Sequence, residues 1–326
     1  MSARRALITG VSGQDGSYLA EQLCAEGLEV HGTVRSLADR DRPNLEAVRG
    51  ELRFHAGDLL ERGTLRAIVA ASVPDEIYHL ASPAFVPHSW TAVADTLQGA
   101  ATVAAELLDA VRDHAPEAHV VLATSREVFG ANAPSPQRED TPCAPSSPYG
   151  VAKLAAHQLV GLMRAHNGLH LSSAILFNHE SPRRSPRYIS RKVTAAAAAI
   201  SRGRQHELAL GDTGAVRDWS AASDIVRGLR LMAAAEEPGD YVLASGVGHT
   251  VRELVDVAFA CVDLQAETYL RTDPSLVRPP EPQPAIGDPT RAREQLGWSA
   301  RTSFEQLIAG MVAADLAAPG EPAPTA

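Results

Sequence analysis

The chain has 326 residues, 45% of them hydrophobic and 21% charged, and its formal net charge is −9. This is an ordinary globular composition, long enough for one large domain or two interlocked ones. The acidic balance argues against a general nucleic-acid binder, because sequence-independent affinity for a phosphate backbone comes mainly from clustered Lys and Arg. Three scattered cysteines do not suit a disulfide framework or a zinc site, and the 12 histidines show no metal-ligand spacing, so we expect no metal.

No segment suggests export or a membrane. The N-terminus lacks an apolar run after a basic start, and no apolar run reaches the length of about 18 residues expected of a membrane span. We therefore expect a cytoplasmic protein. Residues 317–326 are rich in Ala, Pro and Gly and are expected to form a disordered tail.

The first predicted strand, Arg5–Thr9, is followed by three glycines and then by a helical pattern. Gly10, Gly13 and Gly16 permit a tight turn and let a pyrophosphate approach backbone N–H groups at the start of a helix. Glycines also punctuate turns for purely structural reasons, so the motif alone is a weak signal. It indicates a dinucleotide site if the following segments agree.

The next two strands end in residues that would meet the adenosine half of a dinucleotide. Arg35 follows a strand at 29–34, about 20 residues beyond the third glycine, where the ribose-reading residue is expected. An arginine there favours the 2′-phosphate of NADP over NAD, although an incidental surface arginine is the alternative. Asp58 follows a strand at 52–55 and could accept a hydrogen bond from the adenine amino group, or cap a helix starting near Glu61.

Strands and helical stretches continue to alternate, with a helix predicted over 91–113 and a strand over 119–123. The alternation predicts a Rossmann-type doubly wound parallel sheet, an α/β fold, with a smaller α/β C-terminal substrate domain. Ligands of such sheets bind at the carboxyl ends of the strands. The strand at 119–123 delivers Ser125 and Glu127 to that edge.

The predicted domains interleave along the chain. Residues 1–178, joined by about 218–247, are expected to form the NADP-binding domain. Residues 179–217 and 248–316 are expected to form the substrate domain. The chain would thus return to the cofactor sheet before its last helices complete the substrate side.

Tyr149 and Lys153 are four residues apart on a helix predicted to begin around Ser147–Pro148, so they share one face. An ammonium beside a phenol, with the nicotinamide charge nearby, should lower the pKa of the phenol and let it take a proton from a sugar hydroxyl as hydride leaves. The same spacing alone would be an ordinary helix face. With the glycine turn and Glu127 it favours a site of alcohol oxidation.

Further motifs occur along nearly the whole chain. The matching segments are Ala6–Gly10, Gly13–Leu19, Ser147–Lys153, Phe177–Arg184, Arg217–Trp219, Arg278–Pro279, Gly287–Pro289 and Leu296–Trp298. Together they resemble the extended short-chain dehydrogenase/reductase family and, within it, the GDP-mannose 4,6-dehydratases.

The resemblance implies a catalytic cycle. Ser125 and Glu127 stand where that family has a Thr and a Glu, and Tyr149 and Lys153 match its Tyr-Lys pair. The implied cycle has Tyr149 take the C4 hydroxyl proton while NADP takes the C4 hydride. Glu127 then removes the C5 proton, water leaves from C6 with a proton from Glu127 or Ser125, and the hydride returns to C6. The expected reaction converts GDP-mannose to GDP-4-keto-6-deoxymannose.

The resemblance also implies the residues that bind the cofactor, which we expect to be NADP rather than NAD. They come from the glycine turn, the strand ends and the catalytic helix. The expected set is Gly10, Gly13, Gln14, Asp15, Gly16, Arg35, Asp58, Leu59, Leu80, Ala81, Tyr149, Lys153 and His179.

A basic group after residue 182 would suit a substrate diphosphate, although a solvated helix start is the alternative. By resemblance, Asn178 contacts a phosphate, Arg217 reaches the pyrophosphate, and Arg278 with Glu281 holds the nucleoside. Glu281 could accept two hydrogen bonds from a guanine edge, which favours a GDP-sugar. The expected substrate residues are Asn178, Arg184, Arg191, Lys192, Arg217, Arg278 and Glu281.

Two departures from the family pattern keep alternatives open. His79–Ala84 looks more like UDP-glucuronate decarboxylases, but Ser146 stands where those carry an Arg that holds the carboxylate. A decarboxylase, an epimerase, a 5,6-dehydratase that returns hydride to C4, and a non-catalytic NADPH-binding protein remain alternatives. The segment after Arg35 lacks the family's longer loop for tetramer contacts, so a homodimer and a homotetramer are both expected possibilities.

Overall fold

The computed structural model describes residues 3–277 and 283–318. The strands, in chain order, are β1 (Arg5–Thr9), β2 (Glu29–Val34), β3 (Leu52–Ala56), β4 (Glu76–His79), β5 (His119–Ala123), β6 (Leu171–Leu176), β7 (Asn178–Glu180), β8 (Leu208–Leu210), β9 (Val216–Ala221), β10 (Asp240–Leu243), β11 (Gly248–Thr250) and β12 (Leu270–Thr272). The helices are α1 (Gln14–Ala25), α2 (Thr64–Ser72), α3 (Val93–Leu97), α4 (Val103–His114), α5 (Pro148–Asn167), α6 (Ile189–Ser201), α7 (Ala222–Ala234), α8 (Val251–Ala260), α9 (Ala266–Tyr269), α10 (Thr290–Leu296) and α11 (Phe304–Ala317).

Seven strands form one parallel sheet in the order β10-β6-β5-β4-β1-β2-β3. β6 is buried along its whole length, as is usual when helices cover both faces of a parallel sheet. The strand order reverses between β1 and β4, which is the kind of switch point where doubly wound sheets bind ligands. The Rossmann-type α/β fold predicted from the sequence is therefore confirmed.

Helices cover both faces of this sheet. On one face, α1 and α7 bury Leu19 and Leu229 against the strands. On the other face, α2, α4 and α5 bury Leu65, Leu107 and Ala156. Burial of each such leucine contributes about 1.5–3 kcal/mol, so these contacts hold the helices firmly against the sheet.

A smaller lobe begins directly after β6. Its three-stranded sheet has the order β11-β9-β7, and β8 pairs with β12. Helices α6, α8 and α11 enclose a separate core that contains Trp219, Phe259 and Ile308. Between β9 and β11 the chain returns to the main sheet as β10, which pairs with β6. The two sheets therefore meet where β6 gives way to β7.

The helix predicted over 91–113 is interrupted. α3 is followed by a π-helical turn, Gln98–Thr102, before α4 continues to His114. Gly99 in this turn faces the ring of Pro83, because a Cβ at Gly99 would lie 2.7 Å from the proline Cγ. The loop after β4 thus packs directly on the π-helical turn.

The sequence predicted no membrane span and a disordered tail over 317–326. Among the described residues, no helix is long and apolar enough to cross a membrane. α11 extends to Ala317, and residues 319–326 of the predicted tail lie outside the described residues.

Candidate active site

The carboxyl ends of β1 and β4 are joined by the hydroxyl of Thr9. Its Oγ1 accepts hydrogen bonds from the backbone N–H groups of Leu80 (3.1 Å) and Ala81 (3.2 Å). Both lone pairs of the hydroxyl oxygen are then used, so its proton is directed to Nδ1 of His79, 2.9 Å away. Burial, with the nearby Lys153, lowers the pKa of His79 to about 3, so its ring is neutral. Leu80 and Ala81, both predicted to contact the cofactor, are thereby fixed at the sheet edge.

The glycine turn is as tight as the motif predicted. Gly10 has a φ of +73°, which favours glycine, and a Cβ there would lie 3.0 Å from Cα of Ala81. A Cβ at Gly16 would lie 2.4 Å from the carbonyl oxygen of Gly10. α1 begins at Gln14, so its first N–H groups open on this turn next to Gly13. The turn has the shape in which a pyrophosphate can approach the backbone closely.

The side chains of Gln14 and Asp15 join the turn to β7. His179 lies with Nε2 2.8 Å from Oδ2 of Asp15 and Nδ1 2.7 Å from the carbonyl of Phe177. Gln14 donates to the carbonyl of His179 at 3.2 Å and accepts from the hydroxyl of Ser181 at 2.8 Å. The predicted cofactor residues Gln14, Asp15 and His179 are thus brought together, and they also connect the two lobes.

Asp15 and His179 form a buried ion pair. Burial alone would raise the pKa of Asp15, but the His179 ring lowers it below its ordinary value. Burial alone would lower the pKa of His179, but the Asp15 carboxylate raises it. A doubly protonated ring agrees with the two acceptors, since both nitrogens then donate.

The residues predicted to meet the adenosine follow the second and third strands. Arg35 directly follows β2 and is exposed; Asp58 and Leu59 follow β3, and Asp58 is exposed whereas Leu59 is half-buried. Asp58 accepts a hydrogen bond from the N–H of Leu60 at 3.0 Å. The helix expected near Glu61 begins later, as α2, with Gly63 as its N-cap, so Asp58 is not its cap.

Tyr149 and Lys153 lie together on the first turns of α5. Ser147 caps the helix by accepting from the N–H of Gly150 at 3.1 Å, and Pro148 is its first residue, which confirms the predicted start. The ammonium of Lys153 donates to the carbonyl of Ala123 at 2.9 Å and lies 5.9 Å from the centroid of the Tyr149 ring. Burial lowers the pKa of Lys153 to about 8.

The pKa of Tyr149 differs from the expectation. The sequence predicted a lowered value from the ammonium and the nicotinamide charge together. Among the groups of the protein, burial raises the pKa of Tyr149 well above its ordinary value, the hydrogen bond to Ser125 lowers it, and the Glu127 carboxylate raises it again.

Glu127 lies on a single 3-10 turn, Arg126–Val128, that follows β5. Ser125 caps this turn by accepting from the N–H of Glu127 at 3.3 Å. Gly150 packs against it, since a Cβ at Gly150 would lie 2.5 Å from the carbonyl oxygen of Glu127. The absence of a side chain at Gly150 therefore lets α5 bring Tyr149 next to Glu127.

Three side chains near Tyr149 were not predicted as site residues. Arg126 donates to the carboxylate of Glu127 from both Nε and Nη2. Tyr188 stacks under the guanidinium of Arg184 at 3.5 Å, and the ring of Phe85 meets Tyr188 edge-on at 5.7 Å. An arginine directly beside Glu127 at the end of a buried strand was the available signal for Arg126. Nothing in the sequence joined Phe85 to Tyr188.

Two of the predicted substrate-binding residues, Arg184 and Arg191, form ion pairs within the protein. Arg184 lies beside Tyr188 and its Nε is 3.1 Å from Oε2 of Glu180. Arg191 forms an ion pair with Asp315 of α11, and burial lowers the pKa of Arg191. These two arginines are thus tied to carboxylates of the protein.

The remaining substrate residues lie on the smaller lobe or beyond the described part. The ammonium of Lys192 donates to the carbonyl of Ala209 at 2.9 Å and is exposed. Asn178 begins β7 beside Trp219, and Arg217 lies on β9 and donates to the carbonyl of Val216 at 2.8 Å. Arg278 and Glu281, the predicted nucleoside contacts, lie outside the described residues. Within 3–277 and 283–318, no group of three or more His, Cys, Asp or Glu is arranged to hold a metal.

Comparison with known proteins gives consistent matches over nearly the whole chain. A family model described as GDP-mannose 4,6 dehydratase matches residues 7–311. GDP-mannose 4,6 dehydratase 2 of Arabidopsis thaliana is 40% identical over 323 residues, covering 95% of this chain and 86% of that protein. GDP-mannose 4,6-dehydratase of Sinorhizobium fredii is 39% identical over 337 residues, covering 95% and 96%.

A solved structure extends the comparison to three dimensions. UDP-glucose 4-epimerase of Thermus thermophilus, in complex with NAD, is similar to this chain with a TM-score of 0.82 at 25% identity. The similarity covers 95% of this chain and 98% of that one.

Proposed function

Because the chain belongs to the GDP-mannose 4,6-dehydratase family, we propose that it is an NADP-dependent lyase that converts GDP-mannose to GDP-4-keto-6-deoxymannose. One observation carries the proposal. Tyr149 and Glu127 lie together at the carboxyl edge of the sheet, because Gly150 packs against the backbone of Glu127, and the Glu127 carboxylate is near enough to raise the pKa of Tyr149. An alcohol oxidation and a proton abstraction can therefore act on neighbouring carbons of one sugar.

The first half of the proposed reaction uses Tyr149 as the base for the C4 hydroxyl. The hydrogen bond between the Ser125 hydroxyl and the phenol lowers the pKa of Tyr149, whereas burial raises it, so Ser125 favours the phenolate. NADP, which the glycine turn and the end of β4 suit, supplies the hydride acceptor and donor. The ammonium of Lys153 places a positive charge 5.9 Å from the centroid of the Tyr149 ring, and its hydrogen bond to the carbonyl of Ala123 orients it.

The second half uses Glu127. A ketone at C4 makes the C5 proton acidic, and the Glu127 carboxylate can accept that proton while the C6 hydroxyl leaves as water. Positioned acids and bases of this kind contribute about 10²–10⁴-fold to a rate. Glu127 is thus the residue that directs the ketone towards loss of water rather than towards return of hydride to C4.

An NAD(P) cofactor is supported by the family and by the NAD complex of the structural relative, and Arg35 supports NADP specifically. Its exposed guanidinium follows β2, where the ribose of a dinucleotide is expected. We expect Arg35→Ala to weaken NADP binding by about 10-fold and to leave NAD binding unchanged, because one charged hydrogen bond to the 2′-phosphate is lost. Titration calorimetry with both nucleotides would measure this, with exposed Arg53→Ala on β3 as the control. Equal losses for both nucleotides would contradict the assignment.

The proposed substrate is a GDP-sugar, held by Asn178, Arg184 and Arg217 together with the nucleoside contacts predicted at Arg278 and Glu281. The test is incubation with NADP and GDP-, UDP- or dTDP-hexoses, followed by mass spectrometry. We expect GDP-mannose to lose one water. Loss of carbon dioxide from a uronic acid substrate, an isomer of unchanged mass, or no conversion of GDP-mannose would overturn the proposal.

The proposed assembly is a homo-oligomer formed through α3 and α5. Val151 and Leu162, which are 48% and 65% exposed, lie 11 residues apart on α5 and so share one face. Trp90, just before α3, and Val93, its first residue, are also exposed. Analytical ultracentrifugation of Leu162→Glu against the wild type would test this, and a monomeric wild type would contradict it.

A further inference from the structure

Arg126 lies between Ser125 and Glu127 and has no role in the reaction proposed above. We propose that Arg126 is a positioning residue, whose guanidinium holds one carboxylate oxygen of Glu127 so that the other oxygen faces C5 of the bound hexose. This inference rests on the proposed function and adds a residue to the same site.

Two donors of Arg126 converge on one acceptor atom. Its Nε and Nη2 lie 3.0 and 2.7 Å from Oε1 of Glu127. Only 7% of the Arg126 side chain is exposed, whereas Glu127 keeps 19% exposed. Charge-assisted hydrogen bonds are among the strongest in proteins, and two of them on one oxygen oppose rotation of the carboxylate. Oε2 is therefore the oxygen presented to a substrate.

The backbone around the pair is fixed, but it does not fix the carboxylate. Ser125 holds the N–H of Glu127, and the close approach of Gly150 holds its carbonyl. The bonds within the glutamate side chain still rotate, and the last of them has a broad preference. The guanidinium supplies the constraint that the backbone contacts lack.

The chemistry of elimination explains why such a constraint matters. Oε2 accepts the C5 proton, and the electron pair of the C5–H bond passes into the adjacent C4 ketone. It returns to form the C5–C6 double bond as the C6–O bond breaks. The proton on Glu127 passes to the leaving oxygen, which departs as water, and the carboxylate is restored. Arg126 keeps its protons throughout.

A second arginine provides a matched control at the opposite end of α5. Arg164 donates from Nη1 and Nη2 to the carboxylate of Asp240 at 3.0 and 3.2 Å. Its side chain is 25% exposed and that of Asp240 is 22% exposed. Asp240 begins β10, at the amino edge of the sheet, away from the reactive groups. Arg164→Gln therefore removes a comparable ion pair without changing Glu127.

The experiment measures each step of the reaction separately in Arg126→Gln, Arg126→Lys, Arg164→Gln and the wild type. Single-turnover absorbance with GDP-mannose follows the appearance of NADPH, which reports C4 oxidation. Mass spectrometry follows the loss of water. The same assays with substrate deuterated at C5 give the isotope effect on water loss.

We expect Arg126→Gln to slow water loss by about 100-fold, the effect of removing one preorganised donor in other enzymes, while NADPH appears at nearly the wild-type rate. Its C5 isotope effect should exceed that of the wild type, because proton removal becomes slower than the other steps. Arg126→Lys should retain about a tenth of the activity, since Lys keeps the charge but not the forked geometry. Arg164→Gln should lower the Tm without changing the ratio of the two steps.

Equal losses of C4 oxidation and water loss in both Arg126 variants, or an unchanged isotope effect, would overturn the inference. If Arg126→Gln does not fold, Arg126→Lys decides by the same two readouts. Failure of the proposed function is a different result, because the wild type itself would then release no water from GDP-mannose.

Discussion

The carboxyl edge of the sheet and the segment 178–192 hold their charged groups by different means. At the edge, backbone contacts position the catalytic helix: Lys153 is bound to the carbonyl of Ala123, and α5 packs through Gly150 against the backbone of Glu127. The carboxylate of Glu127 is in addition held by the side chain of Arg126. In the segment 178–192, ion pairs with carboxylates hold a histidine and three arginines. The pairs there are His179 with Asp15, Arg183 with Glu21, Arg184 with Glu180, and Arg191 with Asp315.

This difference predicts that the two regions are sensitive to different kinds of substitution. A region held by close backbone approach is disturbed by added volume, because packed interiors accommodate extra atoms poorly. A region held by buried ion pairs is disturbed by loss of one charge, because the partner is left without compensation. The edge should therefore control the chemistry, and the segment 178–192 should control how the two lobes are held together.

Removal of the Tyr149 hydroxyl should have the largest effect. We expect Tyr149→Phe to lower kcat with GDP-mannose by about 10³-fold, because the base for the C4 hydroxyl is lost while the ring still packs. Steady-state kinetics measures this, and retained NADP affinity shows that the fold is intact. Tyr241→Phe is the control, since that hydroxyl bonds to Gln295 at 3.1 Å. Activity of Tyr149→Phe near that of the control would exclude the catalytic role.

A single methyl group at Gly150 should test the backbone contact of the edge. The Cβ of Gly150→Ala would lie 2.5 Å from the carbonyl of Glu127, so α5 must shift. We expect kcat to fall by about 10–100-fold, because small displacements of reacting groups are costly. Thermal unfolding should show a modest loss of stability.

Gly161 in the same helix offers a matched control. A Cβ at Gly161 would have no neighbour nearer than 4.0 Å. We expect Gly161→Ala to leave kcat unchanged and to raise stability by about 1 kcal/mol, the helix preference of Ala over Gly. If both variants behave alike, close packing at Gly150 is not what places Tyr149 beside Glu127.

The ion pair of Asp15 and His179 should give a smaller effect on turnover and a distinct pH dependence. The raised pKa of His179 contributes stability that is fully present below its unfolded pKa of about 6.5 and is lost as pH rises through the folded pKa. The lowered pKa of Asp15 contributes stability present above its unfolded pKa of about 3.9 and lost as pH falls through the folded pKa. The pair should therefore stabilise most between about pH 4 and 6.5.

The substitution Asp15→Asn tests whether the ion pair stabilises the protein mainly in this pH range. We expect the difference in Tm between the wild type and the variant to be largest within it and to shrink as pH rises beyond the folded pKa of His179, with turnover reduced less than about 10-fold. Thermal scans across pH measure the difference, and exposed Asp140→Asn is the control. A difference in Tm that does not vary with pH would show that the pair is not ionised.

The local pattern of the sequence was enough to predict the edge of the sheet. Strand ends and the Ser147–Pro148 helix start follow from periodicity and capping, so Tyr149 and Glu127 could be placed before the structure was known. The segment 178–192 could not be predicted in the same way. The partner of Arg191 is Asp315, more than a hundred residues away in sequence, and only the tertiary fold brings them together.

The pKa values and the side-chain contacts of the site could not be predicted from the sequence either. Burial decides the pKa of Tyr149, and burial depends on the whole packed site rather than on the Tyr-Lys spacing. The forked contact of Arg126 with Glu127 depends on rotamers that no sequence pattern specifies. Residue types and strand ends were therefore predictable, whereas partners and charge states were not.

The most direct measurement of the central claim uses GDP-mannose deuterated at C4, with product analysis by mass spectrometry and NMR. Elimination by Glu127 followed by return of the same hydride predicts a product lighter by one water that carries the deuterium at C6. A product that keeps the deuterium at C4, or one that has lost no water, would contradict the proposed reaction.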